Sequence, residues 1–175
     1  MIRRFTFAVI AALLFVGCTP HFINDQEYRS KVEQDFAKRE SIMQASGIEL
    51  EAMNLQQDEL EAMMFLYAYM PLGDIVNKEP SYYLQHYHLT EKALKEMPWG
   101  KTIPEREWKH FVLPVRVNNE NLDDARTVLY HELKDRVRHM SMYDAVLEVN
   151  HWCHEHVTYQ PSDSRTSSPL ATMRS

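Results

Sequence analysis

Residues 151–156, with the sequence HWCHEH, combine three imidazoles, a thiol and a carboxylate, all of which can bind Zn²⁺. The surrounding pattern predicts a helix, on which successive side chains are separated by about 100°. On that helix His151, His154 and Glu155 share one side, while Cys153 points elsewhere. Although these three side chains share a side, we expect only two of them to converge on any one ion, fewer than the three or four protein ligands of a zinc site. We therefore expect no metal site and no bound cofactor.

Cys153 is the candidate nucleophile of this segment. A thiol becomes reactive when a helix N-terminus or a cationic group lowers its pKa. Cys153 lies well inside the predicted helix, away from the free amides, although His156 follows one turn later. We therefore expect a small buried side chain beside a hydrogen-bonded histidine and assign no catalytic residue. Pairing of Cys153 with His156 stays open as the alternative.

A second candidate is the aromatic run at residues 82–88, with the sequence YYLQHYH. Such rings could form a shelf for sugar rings or peptides. Packing of tyrosines in the core or on the surface is the commoner reason for such a run, so we expect packing and keep binding as the alternative. The chain has no Gly-x-Ser-x-Gly sequence, and a hydrolase with that serine geometry is therefore not supported.

The composition excludes several other functions. The chain has 175 residues and only four glycines, which are far apart, whereas phosphate loops and dinucleotide fingerprints need several glycines close together. Its formal net charge is -6 and it has no run of lysine or arginine, so it lacks the basic surface that nucleic acids bind. The few glycines also argue against hairpin-rich barrels and sandwiches.

The spacing of apolar residues predicts a mainly α fold. Gly47 is a plausible end for a charged N-terminal helix, and Ser141 with Asp144 three residues later begins the last long helix. The other predicted helices cover residues 50–70, 80–97, 104–112 and 122–139. The predicted buried face of the last helix contains Met142, Ala145, Val146, Val149, Trp152 and Cys153.

The first eighteen residues have the form of a secretory signal. Two arginines precede residues 5–16, a mostly apolar stretch that is shorter than the roughly 20 residues needed to cross a hydrocarbon core. Residues 14–18, LFVGC, resemble the lipobox of bacterial lipoproteins. The resemblance implies cleavage before Cys18, lipid attachment to its sulfur and membrane anchoring, and Thr19 favours an outer membrane. The alternative is an ordinary signal peptide that is cut elsewhere.

Several stretches of the chain form a further pattern. They are residues 142–154 (MYDAVLEVNHWCH), 157–159 (VTY) and 162–170 (SDSRTSSPL), preceded by 97–100 (MPWG) and 115–123 (VRVNNENLD). The later stretches resemble the region just upstream of the nucleophile in transglutaminase-like domains, particularly those of secreted bacterial lipoproteins. The earlier ones are similar to the preceding part of the same proteins, so that the resemblance covers residues 60–175.

The resemblance implies a papain-like α+β fold and thiol-dependent acyl transfer. In that chemistry a cysteine attacks a glutamine or peptide carbonyl, a histidine acts as base and an aspartate orients the histidine. None of these three residues can be matched in the chain, since Cys153 lies on the helix before the nucleophile position. We therefore expect the leading helices of such a core without its sheet, truncated before the active site and inactive alone.

These inferences predict residues 1–17 as a lipoprotein signal peptide, 18–100 as an N-terminal helical region and 101–175 as the start of a transglutaminase-like domain. The protein would be a bacterial cell-envelope lipoprotein that contacts a membrane through Cys18. The full-length parent would act on a protein or peptide. The alternative is a non-catalytic helical lipoprotein that binds a glycan, a peptide or a protein partner.

Overall fold

The computed structural model describes residues 25–116, 120–157 and 168–174, and these residues are mainly helical with no strand among them. The predicted mainly α class is therefore confirmed. The described α-helices are α1 Asp25–Ala37, α2 Glu40–Ala45, α3 Gln57–Tyr69, α4 Leu72–Asn77, α5 Pro80–Glu96, α6 Glu105–Phe111, α7 Ala125–Val137, α8 Met142–His156 and α9 Pro169–Arg174, with 3₁₀ turns at Leu50–Met53 and Gly100–Thr102. None of these helices is both long and apolar enough to cross a membrane.

The chain divides into two compact units, residues 1–31 and 32–175. In the first unit, the described residues 25–31 are helical. The second unit contains the helices α2 to α9 in full. The domain boundaries predicted after residues 17 and 100 stay predictions.

The core of the second unit is built around α3 and α5, which pack against each other. Met63 and Tyr67 of α3 and Tyr83 of α5 have no exposed surface. The rings of Tyr67 and Tyr83 meet edge-on, with their centroids 5.7 Å apart. α5 also packs against α7, and α7 packs against both α8 and α9. α8 contacts this core through α7 and through the segment after α5, since Ala145 clusters with Val137 and Met97.

Three predicted helix boundaries are confirmed by backbone and capping geometry. Gly47 follows α2 with a φ of 71°, a left-handed conformation that glycine adopts without strain. Pro80 is the first residue of α5, where its missing amide hydrogen costs nothing. The hydroxyl of Ser141 accepts a hydrogen bond from the amide of Asp144 at 3.2 Å and caps α8.

Two predicted helices begin later than expected. The segment predicted as one helix over residues 50–70 contains a 3₁₀ turn, then Asn54 in a left-handed conformation with φ 53°, and only then α3. The helix predicted from residue 122 begins at Ala125. There Asp123 Oδ1 accepts the amide hydrogen of Ala125 at 2.9 Å, which favours a turn in the preceding backbone.

Candidate functional site

The histidine-rich segment forms the C-terminal end of α8. His151 Nε2 lies 3.2 Å from Glu155 Oε1, one turn later on the same side. His156 stacks on Trp152, with ring centroids 4.4 Å and planes 10° apart, and its Nδ1 lies 2.8 Å from the Trp152 carbonyl oxygen. Within the described ranges, no three His, Cys, Asp or Glu side chains are placed to hold a metal ion.

The prediction that Cys153 is buried is wrong, because its side chain is exposed. α8 turns the neighbouring Trp152 inward, and the next side chain then points away by about 100°. His156 directs its Nδ1 to the Trp152 carbonyl oxygen and not to this thiol. The backbone amides that could stabilise a thiolate lie at the opposite end of α8, so the geometry offers no activated nucleophile.

Three residues of the aromatic run at 82–88, namely Tyr83, His86 and Tyr87, are buried in the core, while His88 is exposed. Tyr83 Oη donates a hydrogen bond to the carbonyl oxygen of Asp74 at 2.6 Å, and Tyr87 Oη donates one to Asp58 Oδ2 at 3.1 Å. Burial raises the pKa of both tyrosines above its usual range. The expected packing is confirmed for these two rings, which cannot form an open shelf.

His86, from the same run, is a buried imidazole with 5% of its surface exposed. Its ring meets the Tyr82 ring edge-on, with centroids 4.4 Å apart, and its Nδ1 has no hydrogen-bond partner among the described residues. Burial lowers the pKa of His86 to about 4, and the positive charge of Arg126 adds to the shift. His86 is therefore neutral at pH 7.

An exposed apolar surface runs along one side of α8. We call it the α8 face and define it by Met142, Tyr143, Val146 and Leu147, all of which are exposed. On the same helix Ala145 and Trp152 are buried. The prediction that Met142, Val146 and Cys153 belong to the buried face is wrong, because α8 buries a narrower stripe than its apolar pattern suggests. Exposed apolar patches of this kind are typical of surfaces that contact another protein, a membrane or a ligand.

An open apolar cavity of about 450 Å³ adjoins this surface, and Val146 lines it together with residues of α5 and α7. The charged residue on its wall is Arg126. Its Nη1 donates to Thr90 Oγ1 at 2.9 Å, and its Nη2 donates to the carbonyl oxygen of Pro114 at 2.5 Å. These contacts tie the backbone after α6 to α5 and α7, so Arg126 has a structural role.

A second cavity, of about 210 Å³, contains a buried ion pair, and we call it the Asp74 cavity. Asp74 is 1% exposed, and Arg116 Nη2 donates to its Oδ1 at 2.5 Å. Neither Asp74 Oδ2 nor Arg116 Nε has a hydrogen-bond partner within the described part of the chain. Burial raises the pKa of Asp74, and the positive charge of Arg116 offsets this only in part.

Sequence analysis missed this pair because its members are 42 residues apart and belong to no motif. The one local signal is a lone carboxylate in the apolar stretch at residues 72–76, LGDIV, which indicates a buried or paired acid. That signal identifies Asp74 as unusual. It does not identify Arg116 as its partner.

Cys18 lies outside the described residues, so lipid attachment stays a prediction. Residues 117–119, 158–159 and 162–167, which belong to the stretches with the transglutaminase-like pattern, also lie outside them. Comparison of the chain with protein-family models, curated proteins and solved structures found no match.

Proposed function

We propose that the chain is part of a lipid-anchored cell-envelope protein of the transglutaminase-like family, in which α8 packs against a catalytic core. The observation that carries the proposal is the α8 face, where Tyr143 is 72% exposed and Val146 is 62% exposed. The other side of α8 already packs against α7. A helix with apolar residues on more than one side is typical of a protein interior, so a second layer of protein is expected over this surface.

The same helix carries the longest stretch of the family resemblance, residues 142–154. In the family this helix precedes the nucleophile and the sheet. A helix between a helical layer and a sheet needs an apolar surface toward each of them. The two apolar sides of α8 therefore support its assignment as the leading helix of such a core.

The chemistry would come from the covering core, whose cysteine attacks an acyl group while a histidine takes up its proton. Cys153 does not suit this role, because it is exposed near the C-terminal end of α8 and its histidine neighbour bonds to Trp152. Residues 1–175 would support the core and hold it at the membrane. We expect no thiol-dependent acyl transfer from them alone.

The experiment is to read the gene beyond the codon for Ser175 and to express the longer protein. We expect the reading frame to continue through a Gly-x-Cys turn and then a histidine and an aspartate. Incorporation of a primary amine into a glutamine peptide should be lost when the cysteine of that turn is replaced. Cys153→Ala is the matched control and should leave the reaction intact. A stop codon after Ser175, or activity that depends on Cys153, contradicts the proposal.

The membrane anchor is tested separately, with radiolabelled palmitate in a bacterial host. The label should enter the unmodified chain and be absent from Cys18→Ala, because the acyl groups are attached at that residue. Cys153→Ala is again the control and should be labelled like the unmodified chain. Equal labelling of the Cys18→Ala variant rules out this anchor.

The α8 face also favours a second candidate, a non-catalytic lipoprotein that binds a protein or peptide partner. Apolar patches suit such partners, and the burial of Tyr83 and Tyr87 leaves fewer rings for a glycan-binding shelf. A stop codon after Ser175, together with protection of the α8 face by a partner, would favour this function over the first.

A further inference from the structure

The Asp74 cavity contains two buried polar atoms whose hydrogen-bonding capacity the described residues leave unused. Asp74 Oδ2 is an acceptor, Arg116 Nε–H is a donor, and both residues line the cavity. Unpaired polar atoms in a buried place cost free energy, so native proteins usually provide a partner. One partner for both atoms must donate a hydrogen bond to the carboxylate and accept one from the guanidinium.

A hydroxyl group meets both requirements, because its hydrogen donates and its oxygen accepts. An ammonium group only donates and a carboxylate only accepts, so neither can serve both atoms. The ion pair of Asp74 and Arg116 is already balanced in charge, and a further charge would be buried without a counter-charge. The two atoms therefore favour a neutral group that both donates and accepts, and a hydroxyl does so with a single atom.

The remaining wall of the cavity is mostly apolar, and aromatic rings from Phe65, Tyr69, Tyr83 and His110 form part of it. The rings of Phe65 and Tyr69 have centroids 5.1 Å apart, and Phe65 meets His110 edge-on at 6.1 Å. Aromatic rings prefer such tilted arrangements, so a further ring can pack beside them. The volume of about 210 Å³ greatly exceeds the roughly 30 Å³ of one water molecule and is larger than a cavity of about 150 Å³ that holds benzene. One ring with one or two small substituents therefore fits.

We propose that the Asp74 cavity binds a small neutral aromatic compound with one hydroxyl group, of the phenol or benzyl alcohol class. The hydroxyl bridges Asp74 Oδ2 and Arg116 Nε, and the ring packs against Phe65 and Tyr69. This site shares no residue with the α8 face and needs no acyl-transfer chemistry. The binding site and the proposed function can therefore fail independently.

Three matched probes test the proposal, namely p-cresol, toluene and p-toluate. All three have a methyl-substituted ring. p-Cresol also carries a hydroxyl group and p-toluate a carboxylate, whereas toluene has no polar group. In the ¹⁵N-labelled full chain, p-cresol should shift the Arg116 Nε–Hε resonance along a saturating curve. The Nε–Hε resonance of Arg138, an exposed residue just after α7, is the internal control and should not follow that curve. Toluene and p-toluate should bind about tenfold more weakly at this site because hydrogen bonds are lost.

A conservative variant gives an independent measurement. Arg116→Lys keeps a positive charge beside Asp74 but removes Nε, and we expect calorimetry to show p-cresol binding weakened by about tenfold. Arg138→Lys, at an exposed residue just after α7, is the matched control and should leave the affinity unchanged. If Arg116→Lys does not fold, the titration of the unmodified chain with the three probes still tests the proposal. An Arg116 resonance that does not move, or that moves equally with toluene at the same concentrations, overturns the proposal.

Discussion

The α3–α5 core and the α8 face show opposite outcomes for tyrosines on amphipathic helices. Tyr83 in α5 has no exposed surface and donates a hydrogen bond to the Asp74 carbonyl oxygen, whereas Tyr143 in α8 is 72% exposed. α5 packs against both α3 and α7, while α8 packs on one side only, against α7 and the segment after α5. The number of layers around each helix therefore accounts for the difference, and residue type does not.

The comparison shows that forming an amphipathic helix and covering its apolar sides are separate matters. The spacing of apolar residues indicates that a helix forms and which of its sides avoid water. It does not indicate whether a neighbouring layer covers each of those sides. In α5 the layers are present, and in α8 one apolar side is exposed in the described structure.

The largest expected effect comes from removing one tyrosine in each region. Tyr83→Ala should reduce the free energy of unfolding by about 4 kcal/mol, because it leaves a cavity in the core and removes a hydrogen bond. Tyr143→Ala, the matched change on the α8 face, should cost about 0.5 kcal/mol or less. Urea unfolding of the two variants measures both values. Similar losses in the two variants would show that the α8 face is as enclosed as the core.

A pair of glycines tests how closely the 3₁₀ turn after α5 is packed. A Cβ atom at Gly100 would lie 1.8 Å from the carbonyl oxygen of Leu94, so Gly100→Ala should cost about 3 kcal/mol through backbone displacement. At Gly73 the nearest atom to such a Cβ is the Asn77 side-chain nitrogen, 3.8 Å away. Gly73→Ala should therefore stabilise the protein by about 0.5 kcal/mol. Urea unfolding again gives both numbers, and a harmless Gly100→Ala would contradict the close packing.

The buried imidazole of His86 predicts a pH dependence of stability. Its pKa is about 4 in the folded protein and close to 6.5 when unfolded, so below pH 6.5 the unfolded state binds a proton that the folded state does not. Stability should fall with decreasing pH, by roughly 1.5 kcal/mol between pH 6.5 and pH 5 from this residue. Urea unfolding of the unmodified chain and of His86→Phe over this range isolates the contribution. If both lose the same amount, His86 is not buried as a neutral group.

Features that depend on residues close together in the sequence could be predicted, whereas features that depend on distant residues could not. The Ser141 cap could be predicted because its partner, Asp144, is three residues away. The ion pair of Asp74 and Arg116 could not, because it depends on how α4 and the segment after α6 are brought together in the fold. Cys153 was wrongly assigned to the interior because burial on α8 depends on which neighbouring layer is present. Local helix signals could therefore be read from the sequence, whereas the tertiary contact between Asp74 and Arg116 could not.

The central claim is that a catalytic core covers α8. Its most direct test is the accessibility of the α8 face in the longer protein that we propose. A Val146→Cys thiol, with Cys18 and Cys153 replaced by serine, reports on the face, and Glu132→Cys on α7 is an exposed control. In the 175-residue chain, both thiols should react with a maleimide at similar rates. In the longer protein, the Val146→Cys thiol should react on the order of a hundredfold more slowly, because it is reached only through local opening, while the control is unchanged. Equal rates at Val146 in the two proteins would show that no catalytic core covers α8.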